Sequence, residues 1–126
     1  MAQHAIVHIE VPSGDPKAAA KLYGDAFGWK LSSDPTFDYW QFEPASGPGG
    51  GFPILNEEHD VKPGEVLVYI DTDDIEASLA KIESLGGKTL MPKTEIPGIG
   101  WFAFFADTTG NRLALYTSQQ PAPSAS

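Results

Sequence analysis

His8 lies in the middle of an alternating segment, Ile6-Val7-His8-Ile9-Glu10-Val11. An imidazole titrates near neutrality and can serve as acid, base, hydrogen-bond donor or metal ligand. Three roles are open to His8: a pocket histidine satisfied by a hydrogen bond, a general base or ligand-binding group, and a metal ligand. It is the catalytic candidate of the chain, although no acid–base partner for it stands out along the sequence. Gln41, Tyr69 and Trp101 bring amide, phenol and indole groups suited to a small organic ligand. The same groups would equally fill an interior or an interface.

Other chemistry-bearing patterns fail on context. Glu57-Glu58-His59-Asp60 holds the donors of a metal cluster. It stands in a polar linker, where such a run is ordinarily a solvated face. Gly98-x-Gly100-x-x-Ala103 imitates a dinucleotide fingerprint, yet Trp101 to Phe105 reads as strand and no capped helix follows. Ser46-Gly47-Pro48-Gly49-Gly50-Gly51 lacks the lysine of a phosphate loop and reads as a loop leading into a strand. No Gly-x-Ser-x-Gly occurs, and no cysteine, so neither a serine nor a cysteine acyl-transfer site has support.

Composition narrows the partners. The 126 residues carry a formal charge of −9. That charge repels phosphate backbones, and no basic cluster offsets it, which argues against nucleic acid. No basic segment followed by an apolar run opens the chain, and no apolar stretch approaches the ~20 residues that span a bilayer. A cytoplasmic protein with no membrane partner is therefore expected.

Two similar sets of elements must position these side chains. Ala5 to Val11 alternates as a half-buried strand, with Val7, Ile9 and Val11 on one face and His8 on the other. Asp15 and Pro16 open a helix whose apolar side carries Ala20, Tyr23 and Phe27, and Gly28 stops it. Strands are expected at Trp29–Ser33, Phe37–Glu43 and Gly50–Leu55. The pattern then recurs. Glu65 to Thr72 alternates, Asp73-Asp74 caps a helix through Ile75, Leu79 and Ile82, and Gly86-Gly87 ends it. Strands follow near Lys88–Met91, Gly100–Ala106 and Asn111–Thr117, the last two joined by the turn Asp107-Thr108-Thr109-Gly110. Pro92 to Gly100 reads as a long loop, and the Gln, Pro, Ala and Ser residues at 119–126 as a frayed tail. An offset of 59 lays Val7, Ile9 and Val11 on Val66, Val68 and Ile70, the mark of a duplicated unit. Each unit is βαβββ. The aliphatic face of each first strand packs under its helix, so the opposite face, with His8 in one unit and Glu65, Leu67 and Tyr69 in the other, turns toward the cavity.

These residues resemble a known family. His8-Ile9-Glu10-Val11-Pro12, Asp15-Pro16 and Leu22 to Trp29 are similar to the first module of glyoxalase-like proteins. Tyr69 to Ile75, Gly86-Gly87-Lys88, Ile96-Pro97-Gly98 and Asp107 to Asn111 are similar to the second. The chain thus resembles the vicinal oxygen chelate superfamily of glyoxalases, bleomycin-resistance proteins and extradiol dioxygenases, in the single-domain branch related to lactoylglutathione lyase. The resemblance implies an α+β fold: two tandem βαβββ modules, at about 5–55 and 65–117 of a domain covering 1–118, forming a curved, cup-shaped mixed β-sheet. It also implies a homodimer and a small-molecule ligand.

Enzymes of the family hold a divalent metal through four side chains of the cup. Carried over position by position, the first-strand ligand of module one is His8 and that of module two is Leu67. The last-strand ligand of module two is Ala114, and that of module one falls in Gly50–Leu55, which has no donor side chain. A one-residue change of register would bring in Glu65 or Gln41. One imidazole cannot replace the hydration shell of a hard cation. The expectation is therefore no metal cofactor, His8 as catalytic candidate, and Gln41, Leu67, Tyr69, Trp101 and Ala114 as ligand-binding positions. Three functions fit: a lyase, isomerase or dioxygenase-like enzyme of the superfamily, a ligand-sequestering resistance protein, and an accessory protein without a small ligand.

Overall fold

The computed structural model describes residues 4–34, 39–55, 62 and 64–119. The Glu57-Glu58-His59-Asp60 run lies outside the described residues, as do residues 120–126 of the expected tail. The chain forms two compact units, one of Val7–Val68 and one of Tyr69 onward together with the residues before Val7.

The first unit holds β1 (Ile6–Glu10), α1 (Pro16–Phe27), β2 (Lys30–Asp34), β3 (Tyr39–Glu43) and β4 (Gly49–Phe52). Its strands lie in the order β2-β3-β4-β1, with β1 parallel to β4 and the other pairs antiparallel. Asp15 caps α1, its carboxylate accepting from the Ala18 N–H. Gly28 ends the helix at φ 73, a left-handed conformation that glycine adopts without strain. Ala20, Phe42 and Phe52 form a buried cluster, with Ile9, Val11, Tyr23, Trp29 and Trp40 packed on it. Stacking of Tyr23 with Trp29 and Phe52 and of Trp29 with Phe42, with Phe42 tilted against Phe52, at centroid distances of 4.6 to 5.5 Å builds this core from rings.

The later part repeats the plan with β5 (Leu67–Asp71), α2 (Ile75–Ser84), β6 (Lys88–Ile96), β7 (Gly100–Ala106) and β8 (Arg112–Ser118), ordered β5-β8-β7-β6. Asp74 caps α2 as Asp15 caps α1. Ile75, Leu79, Ala103, Phe105 and Leu115 make its buried cluster. The βαβββ duplication expected from the sequence is what the chain forms. Among the described residues no helix is long and apolar enough to cross a membrane.

Three segments differ from expectation: the strand expected at Gly50–Leu55 stops at Phe52, with Ile54 bridging only to Ser13. Residues 92–96, expected in a loop, belong to β6, where Pro92 is tolerated because the strand lies at a sheet end and its register with β7 shifts between Thr89 and Thr94. The paired region also extends past Thr117: Ser118 closes β8, and the Gln119 N–H donates to the Ile99 carbonyl.

The turn between β7 and β8 is held by one carboxylate. Asp107 accepts from the backbone N–H groups of Thr109 and Asn111 and from the Asn111 amide. These bonds, those of Asn111 first, lower its pKa to about 2. A depressed carboxylate stabilises the fold above its unfolded pKa and loses that contribution as acid is added down to the folded value. Asp107→Ala is expected to melt at a lower temperature than the parent at pH 7, the gap closing between about pH 4 and pH 2. Equal melting temperatures at pH 7 would show that the turn does not depend on this carboxylate.

Candidate functional site

The face of the first sheet turned away from α1 is polar. Parity along the strands puts His8 and Glu10 of β1, Lys30 and Ser32 of β2, and Tyr39, Gln41 and Glu43 of β3 on that face. Ile9, Phe42 and Trp40 point to the helix side and join the core. Between the polar rows of β1 and β3 runs β4, whose residues 49–51 are all glycine. A strand without side chains leaves a trough between its neighbours. A groove of about 670 Å³ lies there, its lining including His8, Ser32, Gln41, Glu43 and Gly49. Its size falls in the range of small-molecule sites.

Tyr39 bridges the trough. A Cβ at Gly51 would run into the Tyr39 ring and hydroxyl, so glycine is needed there for the ring to lie across β4. The phenol donates to Glu10 Oε2 at 2.8 Å, and His8 Nε2 stands 2.9 Å from the phenol oxygen. With the one phenolic proton given to the carboxylate, the imidazole is the donor in the second bond, which assigns the hydrogen to Nε2. His8 Nε2 is also 3.7 Å from Glu10 Oε2. The His8 and Glu10 side chains are 31% and 19% exposed, so the cluster is reachable from solvent yet partly desolvated. His8 thus has the carboxylate and phenol neighbours that did not stand out in the sequence. Parity alone puts Tyr39 beside Gln41 and Glu10 beside His8; the order β3-β4-β1, which joins the two pairs, is a product of the fold.

The other expected positions separate. Gln41 lines the groove with His8. Leu67, Tyr69 and Ala114 are buried, with Tyr69 paired directly to Ala114. Trp101 packs on the α2 core beside Ala103 and Phe105, with the Lys93 ammonium 5.1 Å from its ring centroid. Its strand is aromatic on both faces, and the other face, with Phe102 and Phe104, is the one shared with Ala114.

The donor chemistry does not fit the divalent ion that the family implies. Leu67 and Ala114 are hydrocarbon, and β4 offers only Gly49, Gly50, Gly51 and Phe52. Among the described residues no three His, Cys, Asp or Glu side chains gather in a metal-holding group. A hard cation requires several oxygen or nitrogen donors.

Comparison with known proteins agrees with the duplicated fold. Residues 5–115 match the Glyoxalase/Bleomycin resistance protein/Dioxygenase superfamily. A glyoxylase-like domain-containing protein of Didymella fabae is 32% identical over 115 residues, covering 86% of this chain and 90% of that protein. The anthracycline biosynthesis protein DnrV of Streptomyces peucetius is 29% identical over 85% of this chain, which spans only 44% of its length. Methylmalonyl-CoA epimerase from Mycobacterium tuberculosis superposes with a TM-score of 0.67 at 16% identity, covering 100% of this chain and 97% of the epimerase.

Proposed function

We propose, from the premise that this chain belongs to the Glyoxalase/Bleomycin resistance protein/Dioxygenase superfamily, that it binds a small organic molecule without a metal ion. The site is the glycine-floored groove of the first unit, with His8 as anchor and Gln41 as a second polar contact. The observation that carries this reading is the groove itself, about 670 Å³ and lined by both residues. It offers a few convergent polar groups beside an open floor, the usual make-up of a small-ligand site. The names of the relatives agree with a small organic ligand: one belongs to anthracycline biosynthesis and another is an epimerase of a coenzyme A thioester.

A thermal-shift screen with small carbonyl and aromatic compounds, run with and without EDTA, tests the proposal. A compound at 100 times its Kd stabilises its protein by about 2.7 kcal/mol. The expected result is a shift that survives EDTA and disappears in His8→Ala. Added Ni, Zn or Mn should produce no isomerisation of a hemithioacetal. A shift that requires a divalent metal, or one that His8→Ala retains in full, would overturn the reading.

A further inference from the structure

The groove holds a row of residues in register across the first sheet. His8 of β1 pairs with Gly49 of β4. One residue beyond the Phe42–Gly50 pair, Glu43 of β3 lies beside Gly49, and Glu43 in turn pairs with Lys30 of β2. The row therefore reads Lys30, Glu43, Gly49, His8, and all four line the groove. With strands about 4.8 Å apart, the backbones of His8 and Glu43 are separated by roughly 10 Å, and Gly49 puts no side chain between them. Lys30 and Glu43 face each other as opposite charges, an arrangement in which side chains ordinarily join. Here they do not. Among the described residues neither the Lys30 ammonium nor the Glu43 carboxylate has an ion-pair or hydrogen-bond partner.

We infer that the groove recognises the zwitterionic headgroup of an α-amino acid, its ammonium on Glu43, its carboxylate on Lys30 and its apolar side chain over Gly49 toward His8. The inference rests on the reading of this groove as a small-molecule site. Charge complementarity selects the headgroup. An anion drawn to Lys30 meets like charge at Glu43, one strand away, and a cation drawn to Glu43 meets like charge at Lys30. A ligand that carries both signs on neighbouring groups satisfies both residues at once. An ammonium only donates and a carboxylate only accepts, so each end of the headgroup has one partner and the ligand binds in one direction. Gly49 leaves room beside the headgroup for the ligand's side chain, and the His8 imidazole forms the far wall. Ser32 and Gln41, the neighbouring facing pair of β2 and β3, flank the row with uncharged polar groups.

The test is calorimetric titration at neutral pH with L-phenylalanine, 2-phenylethylamine and 3-phenylpropionate. The three share a ring and its carbon chain; the amine lacks the carboxylate and the acid lacks the ammonium. L-phenylalanine should bind about fivefold or more tighter than either analogue, the size of one solvent-reachable ion pair. Lys30→Met should bring L-phenylalanine down to the affinity of the amine and leave the amine no weaker. Glu43→Gln should bring it down to the affinity of the acid and leave the acid no weaker. A general loss of structure would weaken all three ligands together and cannot produce this crossed pattern. Both side chains are exposed, so both variants should melt with the parent.

Binding of L-phenylalanine that is no tighter than that of either analogue, or that either variant leaves unchanged, overturns the inference. If other compounds give His8-dependent thermal shifts while all three phenyl compounds fail to bind, the amino-acid assignment falls and the groove reading stands. If no compound gives a His8-dependent shift, both fall.

Discussion

Gly50→Ala should cost the fold about 3 kcal/mol or more, the upper part of the range for forcing atoms into a filled interior. Gly50 is the middle residue of β4, fully buried and paired with Ile9 of β1. A methyl group there would collide with the Ile9 backbone carbonyl oxygen and would reach within 2.6 Å of Phe42 Cζ. The phenyl group could turn aside; the carbonyl belongs to the neighbouring strand and cannot move without parting β1 from β4. Urea unfolding, followed by the fluorescence of Trp29 and Trp40, should show a midpoint displaced to lower denaturant. A loss below about 1 kcal/mol would mean that the two strands are not in this close register. Because β1 carries His8 and Glu10, the same substitution should also remove the ligand binding proposed for the groove, even in the fraction that remains folded.

The second large effect is expected at Phe52, whose side chain is fully buried at 0% exposure. Its ring lies 5.5 Å from that of Tyr23 on α1 and 5.3 Å from that of Phe42 on β3, joining helix to sheet. Phe52→Ala leaves a cavity that β4 cannot collapse to fill, since its preceding residues are glycines with nothing to lend. The expected loss is about 3–5 kcal/mol, a large share of the 5–15 kcal/mol typical of a whole domain. Denaturant titration gives the number directly. A loss under 2 kcal/mol would place the ring outside the tightly packed core.

The periodic part of the fold was readable along the chain because it is local. Caps at Asp15 and Asp74, the stop at Gly28 and the alternation of Val7, Ile9 and Val11 each concern residues a few positions apart. Glu10 could be set on the face of His8, and Tyr39 on that of Gln41, for the same reason, each within its own strand. The joining of the two pairs could not be read that way. Tyr39 is 31 residues from His8 and 29 from Glu10, and their meeting requires β4 to run between them without side chains. The run Gly49-Gly50-Gly51 was visible as a loop signal. Its role as the floor of a groove depends on the strand order, which alternation does not encode. The side of the sheet on which Trp101 lies was not legible for a different reason. Trp101-Phe102-Ala103-Phe104-Phe105 has no polar position to mark its outer face, so period-2 reasoning has nothing to phase on. Pro92 likewise suggested a break, and only its position on an end strand allows it to stay.

The boundary of the two units bears on the order in which they are completed during synthesis. One is a single stretch, Val7–Val68, whereas the other draws on the residues before Val7 as well as those after Val68. The Asp71 N–H donates to the Ala5 carbonyl, tying the opening residues to a strand made more than sixty positions later. A ribosome therefore releases every residue of the His8 groove while the other unit is still half made, and domains of this kind fold as they emerge. Trimming the chain back to Val7 would take only Ile6 from the groove's own strands and would otherwise fall on the other unit.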